Sequence, residues 1–173
     1  MRDSLEIVQA VPTDFETVVS ILVEAAEWHA SLGITQWFPA LFKEHLYPRI
    51  SGDVAAGEVY LAKIDDEPIG TLTLQWSDEE TWGRQPRAAG YVHRLAVRRA
   101  WAGRKIGVRM LDWAGEQCVA RGVPFLRLDT MSANRKLCAY YEALGFEFRG
   151  INLGPRWQPA MYERPAAMKR ASD

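Results

Sequence analysis

Cysteine is scarce: 173 residues hold two, Cys118 and Cys138. Both lie in segments of helical pattern and neither belongs to a C-x-x-C spacing. That excludes a disulfide framework and a cysteine metal cage, and points to reduced, buried thiols. No metal is expected. An excess of either charge is also missing. The 21 Lys and Arg against 22 Asp and Glu give a formal net charge of −1 and a pI near 6.3, so no global positive field favours nucleic acid, although a local basic patch is compatible with this balance. No run of about 18 apolar residues exists to span a membrane. The opening M-R-D-S-L-E-I-V is broken by charge where a signal peptide would be apolar, and a cytoplasmic location is expected. Internal repeats, low-complexity tracts and interdomain linkers are absent. With 48% hydrophobic residues the chain can bury one sizeable core. One domain over residues 1–173 is expected, with 165–173 as a tail.

What is present alternates between the two periodicities. Leu5 to Val11 reads as a strand, and P-T-D introduces a helix whose apolar positions Phe15, Val18, Val19, Leu22, Val23 and Ala26 recur at helical spacing. Gly33 ends it. A second helix is expected around Ala40 to Tyr47, started by Pro39 and limited by Pro48. Glu58 to Ile64 and Pro68 to Trp76, joined by Asp65-Asp66-Glu67, form a hairpin. Ser77 to Ala89, broken by Gly83 and Pro86, reads as a loop holding Asp78, Glu79 and Glu80 together. After the next strand and helix, Phe125 to Thr130 is a short strand, Asn134 to Leu144 a helix closed by Gly145, and Phe146 to Gly150 and Ala160 to Arg164 are further strands.

The organising stretch is Gly90 to Leu111, G-Y-V-H-R-L-A-V-R-R-A-W-A-G-R-K-I-G-V-R-M-L. A β-rich run from Tyr91 to Val97 leads into a cationic turn with Gly103 and Gly107. An amphipathic helix follows, carrying Ile106, Met110, Leu111, Ala114 and Cys118 on one stripe. The N–H groups of a helix's first turn lack intrahelical partners and the dipole is positive there, so an anion is expected at this terminus. The strand–helix–strand order implies a parallel crossover.

The run L-A-V-x-x-x-x-x-G-x-x-I-G, followed after a strand by N-x-x-x-x-x-x-Y-E-x-L-G-F, resembles the GNAT superfamily of N-acetyltransferases. The resemblance implies a single-domain α/β (α+β) fold, a mixed β-sheet flanked by helices with splayed central parallel strands. It implies acetyl-CoA as cosubstrate, its pantetheine amides on the backbone of Leu95, Ala96 and Val97 and its pyrophosphate on the N–H groups of Gly103, Arg104, Lys105, Ile106, Gly107 and Val108. Arg98, Arg99, Arg104 and Lys105 add positive charge. The turn departs from the family pattern: Ala102 stands where Arg or Gln belongs, and Lys105 where the middle Gly belongs. Lys105 is expected in the ordinary α region, as a first-turn helical residue can be.

By the same resemblance Asn134 contacts the cofactor and Tyr141 protonates the departing thiolate. Seven positions apart, they project from one side of a helix, where Asn134 can also act as a cap and Tyr141 can pack beside Tyr140. The attacking amine must lose a proton. His93 is the first candidate base, on the reading that it shares a strand face with Leu95. Glu79 and Glu80 are alternatives that could attract a cationic amine, and Trp37 and Phe38 are candidate walls of an acceptor pocket. The function expected is direct acetyl transfer from acetyl-CoA to a primary amine of a small molecule or peptide, without nucleic-acid or membrane partners. The alternative is a non-catalytic acetyl-CoA-binding sensor or regulatory module. A nucleotide-binding protein is disfavoured because no G-x-x-x-x-G-K-[ST] motif occurs. The acceptor and the oligomeric state, a homodimer included, stay open.

Overall fold

The computed structural model describes residues 4–34, 37, 42–154 and 158–168. Its residues fall into two compact units, Met1–Leu74 with Arg94–Met110, and Gln75–His93 with Leu111–Asp173.

In the first unit, β1 (Glu6–Gln9), β2 (Val59–Ile64) and β3 (Glu67–Gln75) pair antiparallel, with Val8 opposite Leu61 and Leu61 opposite Thr71. Asp65 and Asp66 make the β2–β3 turn at φ 49° and 65°, the left-handed pair that a two-residue hairpin turn requires and that Asp tolerates better than most residues. α1 (Phe15–Ser31) buries Val18, Val19, Leu22 and Ala26 of the expected stripe together with Ile21 and Ala25, while Phe15 and Val23 are half-buried. These pack with Ile50, Val54 and Leu61 into one core.

The second helix departs from the sequence reading. α2 runs Tyr47–Ala55, after a π-helical turn at Phe42–Leu46, and Pro48 stands in its first turn. A proline there sacrifices only an N–H that has no helical partner anyway, so Pro48 starts the helix rather than ending it. Residues 38–41 lie outside the described residues. At Gly70 in β3, a β-carbon would come within 3.0 Å of the Ala96 carbonyl oxygen and 3.1 Å of Met110 Sδ, so a bare backbone is needed there.

The second unit is built on strands in the order β4-β5-β7-β6. β4 (Ala89–Val97) pairs parallel with β5 (Phe125–Met131) from Ala89↔Phe125 to Val92↔Leu128, the crossover that the sequence implied. β7 (Pro159–Pro165) pairs antiparallel with β5 and with β6 (Glu147–Ile151). One further departure appears here. The segment read as a loop contains a short helix, α3 (Glu79–Trp82), capped by Asp78, whose carboxylate accepts from Thr81 N–H at 3.1 Å. Arg164, fully buried in β7, donates to the Leu111 and Leu144 carbonyls at 2.9 and 3.3 Å and to Asp112 at 3.2 Å. The helices α4 (Ile106–Ala120) and α5 (Arg135–Ala143) complete a mixed α/β fold. Cys118 and Cys138 are free and buried, as expected. Among the described residues no helix is long and apolar enough to cross a membrane.

Candidate functional site

The turn between β4 and α4 is where the sequence predicts an anion. The first hydrogen bond into the helix is Arg109 N–H to Lys105 C=O, at 3.1 Å. Among the described residues, no acceptor meets the N–H groups of residues 103–108. Gly103 has φ 78°, and a β-carbon on it would meet nothing within 4 Å, leaving open space over the backbone. Left-handed residues in such a turn gather successive N–H groups into an anion-binding concavity. Lys105 corrects the sequence expectation: its φ is 58°, left-handed and not α. The family pattern has Gly there because that conformation costs an L-residue roughly 1 kcal/mol or more. This chain bears that strain with a lysine.

The four cations of the turn are not equivalent. Arg98 donates to Glu24 at 2.8 Å, to the Pro68 carbonyl at 3.0 Å and to Ser20 at 2.8 Å, so α1 holds it. Arg99 donates its backbone N–H to Glu24 at 2.7 Å and lays its guanidinium over Trp28, 3.7 Å from the ring centroid. Burial would raise the Glu24 carboxyl, but the Arg99 N–H and the Arg98 guanidinium outweigh it and hold the group below its ordinary value. Arg104 stacks on Trp101 at 4.6 Å.

β4 carries a feature that its sequence hid. Arg94, in mid-strand, has φ 50° and is held by an ion pair with Asp53 and a 3.1 Å bond to Thr73 Oγ1. A left-handed residue interrupts the pleat and bends the strand. The expectation that His93 and Leu95 share a face rests on unbroken alternation, and therefore does not carry across Arg94. Leu95, Ala96 and Val97 continue β4 beyond Val92↔Leu128, its last parallel pair.

On the uninterrupted side of that bend, His93 meets two carboxylates. Its Nε2 lies 3.5 Å from Asp78 Oδ2 and its Nδ1 3.9 Å from Asp129 Oδ1. Each comes from a different element: Asp78 from the start of α3, His93 from β4, Asp129 from β5. The Asp78 side chain is 7% exposed, and with Oδ1 spent on the α3 cap its Oδ2 is left for the imidazole. These three groups also form the one set of potential metal ligands found among the described residues. Each ring nitrogen faces its own carboxylate. Asp129 was not legible as a site residue, and Asp78 was legible only as loop charge. The available signal was a lone acid, L-R-L-D-T, inside a β-rich run.

Tyr141 sits in an aromatic cluster, its ring centroid 5.5 Å from Tyr140, 5.9 Å from Phe146 and 6.3 Å from Tyr162. It is 8% exposed, and its hydroxyl makes no hydrogen bond among the described residues. Burial pushes the phenol above its ordinary value, reinforced by Tyr140 and by the Asp129 charge. Asn134 is the cap of α5, accepting from Leu137 N–H at 3.2 Å. Glu79 and Glu80 are exposed in α3 and stay outside the carboxylate–imidazole set. Trp37 packs near His29, centroids 5.8 Å apart, at the edge of the α1 core. Phe38 lies outside the described residues.

Comparison with known proteins follows the same lines. The family model described as Acetyltransferase (GNAT) family matches residues 22–146. An uncharacterized N-acetyltransferase, YesJ of Bacillus subtilis (strain 168), is 32% identical over 154 residues, covering 83% of this chain and 82% of that protein. A GNAT-family acetyltransferase structure from Listeria monocytogenes matches with a TM-score of 0.78 and 26% identity, over 93% of this chain and 94% of its own. The PaiA N-acetyltransferase of Thermoplasma acidophilum, solved with coenzyme A, has the same fold, with a TM-score of 0.75 at 18% identity over 94% of this chain and 99% of its own.

Proposed function

This chain belongs to the GNAT acetyltransferase family, and from that premise we propose that it acetylates the primary amine of a small molecule or peptide by direct attack, with His93 as base and Tyr141 as acid. The enzyme is an acetyl-CoA-dependent N-acetyltransferase. Bound acetyl-CoA supplies an activated thioester.

The chain's own groups divide the remaining work. The N–H groups of Gly103, Arg104, Lys105, Ile106, Gly107 and Val108 take the pyrophosphate, with the helix dipole behind them. Backbone amides of Leu95, Ala96 and Val97 pair with the pantetheine arm as a strand would. An N–H of the same segment donates to the carbonyl oxygen where negative charge develops. Asn134, the cap of α5, contacts the cofactor from the start of that helix.

A neutral His93 donates from one ring nitrogen to one aspartate and keeps the other nitrogen as proton acceptor. After taking the amine's proton, both nitrogens donate, one to each carboxylate, so the new cation is compensated where it forms. The same two carboxylates attract the ammonium form of the acceptor. Tyr141 stays protonated through the neutral range, because burial disfavours its phenolate, and so it can donate toward the leaving sulfur.

The observation that best supports this reading is that His93 lies between Asp78 and Asp129 while burial keeps Tyr141 protonated. The sensor alternative needs neither group. A panel of amines assayed for CoA release, with acetyl-CoA titrated by calorimetry beside it, separates the two. Tight cofactor binding without turnover of any amine would leave only the sensor.

A further inference from the structure

A second polar site lies on the same sheet face as His93. A cleft of about 370 Å³ is walled by Trp82 and Phe125 and floored by Arg127, with Arg87, Arg149 and Glu163 among its lining residues. That volume suits a small ligand. Arg127 is almost wholly buried. Its Nε donates to Glu163 at 2.7 Å and its Nη1 to Tyr91 Oη at 2.7 Å and to the Arg87 carbonyl at 3.3 Å, while its guanidinium lies 5.0 Å from the Trp82 ring centroid. Glu163 also takes Arg149 at 2.8 Å, and exposed Glu147 touches Arg149 at 3.3 Å. Arg87 rests over Phe125, 5.5 Å from its centroid.

Three guanidinium groups thus line the cleft against the single carboxylate of Glu163. Arg127 Nη2 has no hydrogen-bond acceptor among the described residues. An independent observation agrees. Trp82 is 8% exposed, and its indole N–H is buried without an acceptor. A buried donor left without an acceptor is costly, and this cleft holds more donors than acceptors.

The position of the cleft is fixed by register. Tyr91 pairs with Arg127 and Arg127 with Glu163, while His93 and Asp129 stand two residues further along β4 and β5 on the same face. Asp78, facing His93, and Trp82, in the cleft, are one helical turn apart on α3. The carboxylate pair and the guanidinium cleft are therefore successive rows, about 7 Å apart along the strands.

Resting on the acetylation reading above, we propose that the acceptor is an amine that also carries a carboxylate, its ammonium at Asp78, His93 and Asp129 and its carboxylate in the cleft of Arg127, Arg87, Arg149 and Trp82. A plain amine or a diamine leaves the guanidinium row without its anion.

Three matched acceptors test this: 6-aminohexanoate, hexylamine and 1,6-diaminohexane, assayed for CoA release. In parallel, hexanoate, which has no amine, and inorganic phosphate are titrated by calorimetry into the free protein. The expected result is a kcat/KM for 6-aminohexanoate at least about tenfold above the other two, with millimolar or tighter hexanoate binding that weakens about tenfold in the Arg87→Gln/Arg149→Gln variant. Equal or better turnover of hexylamine or the diamine overturns the proposal. So does the absence of hexanoate binding, or phosphate binding that the Arg87→Gln/Arg149→Gln change weakens while hexanoate binding is unaffected. If none of the three amines is acetylated, the acetylation reading fails for this class, and the hexanoate titration still decides whether the cleft holds a carboxylate.

Discussion

His93 Nε2 stands 3.5 Å from Asp78 Oδ2, with Asp129 Oδ1 3.9 Å from the other ring nitrogen. On the proposed mechanism Asp78 acts through His93 as a positioning residue. Asp78→Asn retains the amide oxygen that caps α3 but removes the charge, so kcat is expected to fall by about tenfold. An unchanged kcat would assign Asp78 to the cap alone.

Tyr141→Phe keeps the aromatic cluster and deletes a hydroxyl that makes no hydrogen bond among the described residues. Thermal stability should stay within about 0.5 kcal/mol of wild type. Turnover should fall by about 100-fold, the lower end of what a general acid contributes. Because burial raises the phenol, Tyr141 should produce no basic limb in the neutral range of the wild-type rate profile. Full turnover in the Phe variant would remove the acid role.

Lys105→Gly relieves a left-handed backbone that only glycine adopts freely. A gain of about 1 kcal/mol is expected, visible as a rise of about 2–4 °C in Tm for a chain of this size. On the proposal that backbone N–H groups rather than this side chain carry the phosphate, acetyl-CoA affinity by calorimetry should change by less than about tenfold. A larger loss would show that the lysine itself binds.

Glu24 ties α1 to the turn through the Arg99 N–H and the Arg98 guanidinium. Its carboxyl is depressed in the folded state, so its contribution is present above the unfolded value of about 4.3 and disappears as pH falls through the lower folded value. Glu24→Gln should be less stable than wild type at pH 7, and the difference should close on acidification below the ordinary carboxylate range. Denaturant melts at a series of pH values measure this.

Arg164→Leu removes the buried donor to the Leu111 and Leu144 carbonyls. Leu111 keeps its helical bond within α4, so the penalty falls on the Leu144 carbonyl, and a loss of about 1–3 kcal/mol is expected in chemical denaturation. A near-neutral result would mean that water replaces the guanidinium.

Local chemistry alone determined much of this protein. The helical stripe of α1, the Asp65-Asp66 turn, the β4–turn–α4 order and the cap at Asn134 each depend on neighbours within a few positions, and periodicity and turn chemistry exposed them. The two spaced motifs sufficed to reach the family. The reading erred where a local signal had two meanings: Pro48 can end a helix or begin one, and Lys105 can be helical or left-handed. Only the tertiary structure decided the rest. The bend at Arg94 is held by Asp53, 41 residues away in the chain. Asp78, His93 and Asp129 gather because strand pairing brings β4 and β5 together and α3 sets its first residue over them, while the same register puts Arg127 between Tyr91 and Glu163. Those relations are properties of register between distant strands, and no short window of sequence contains them.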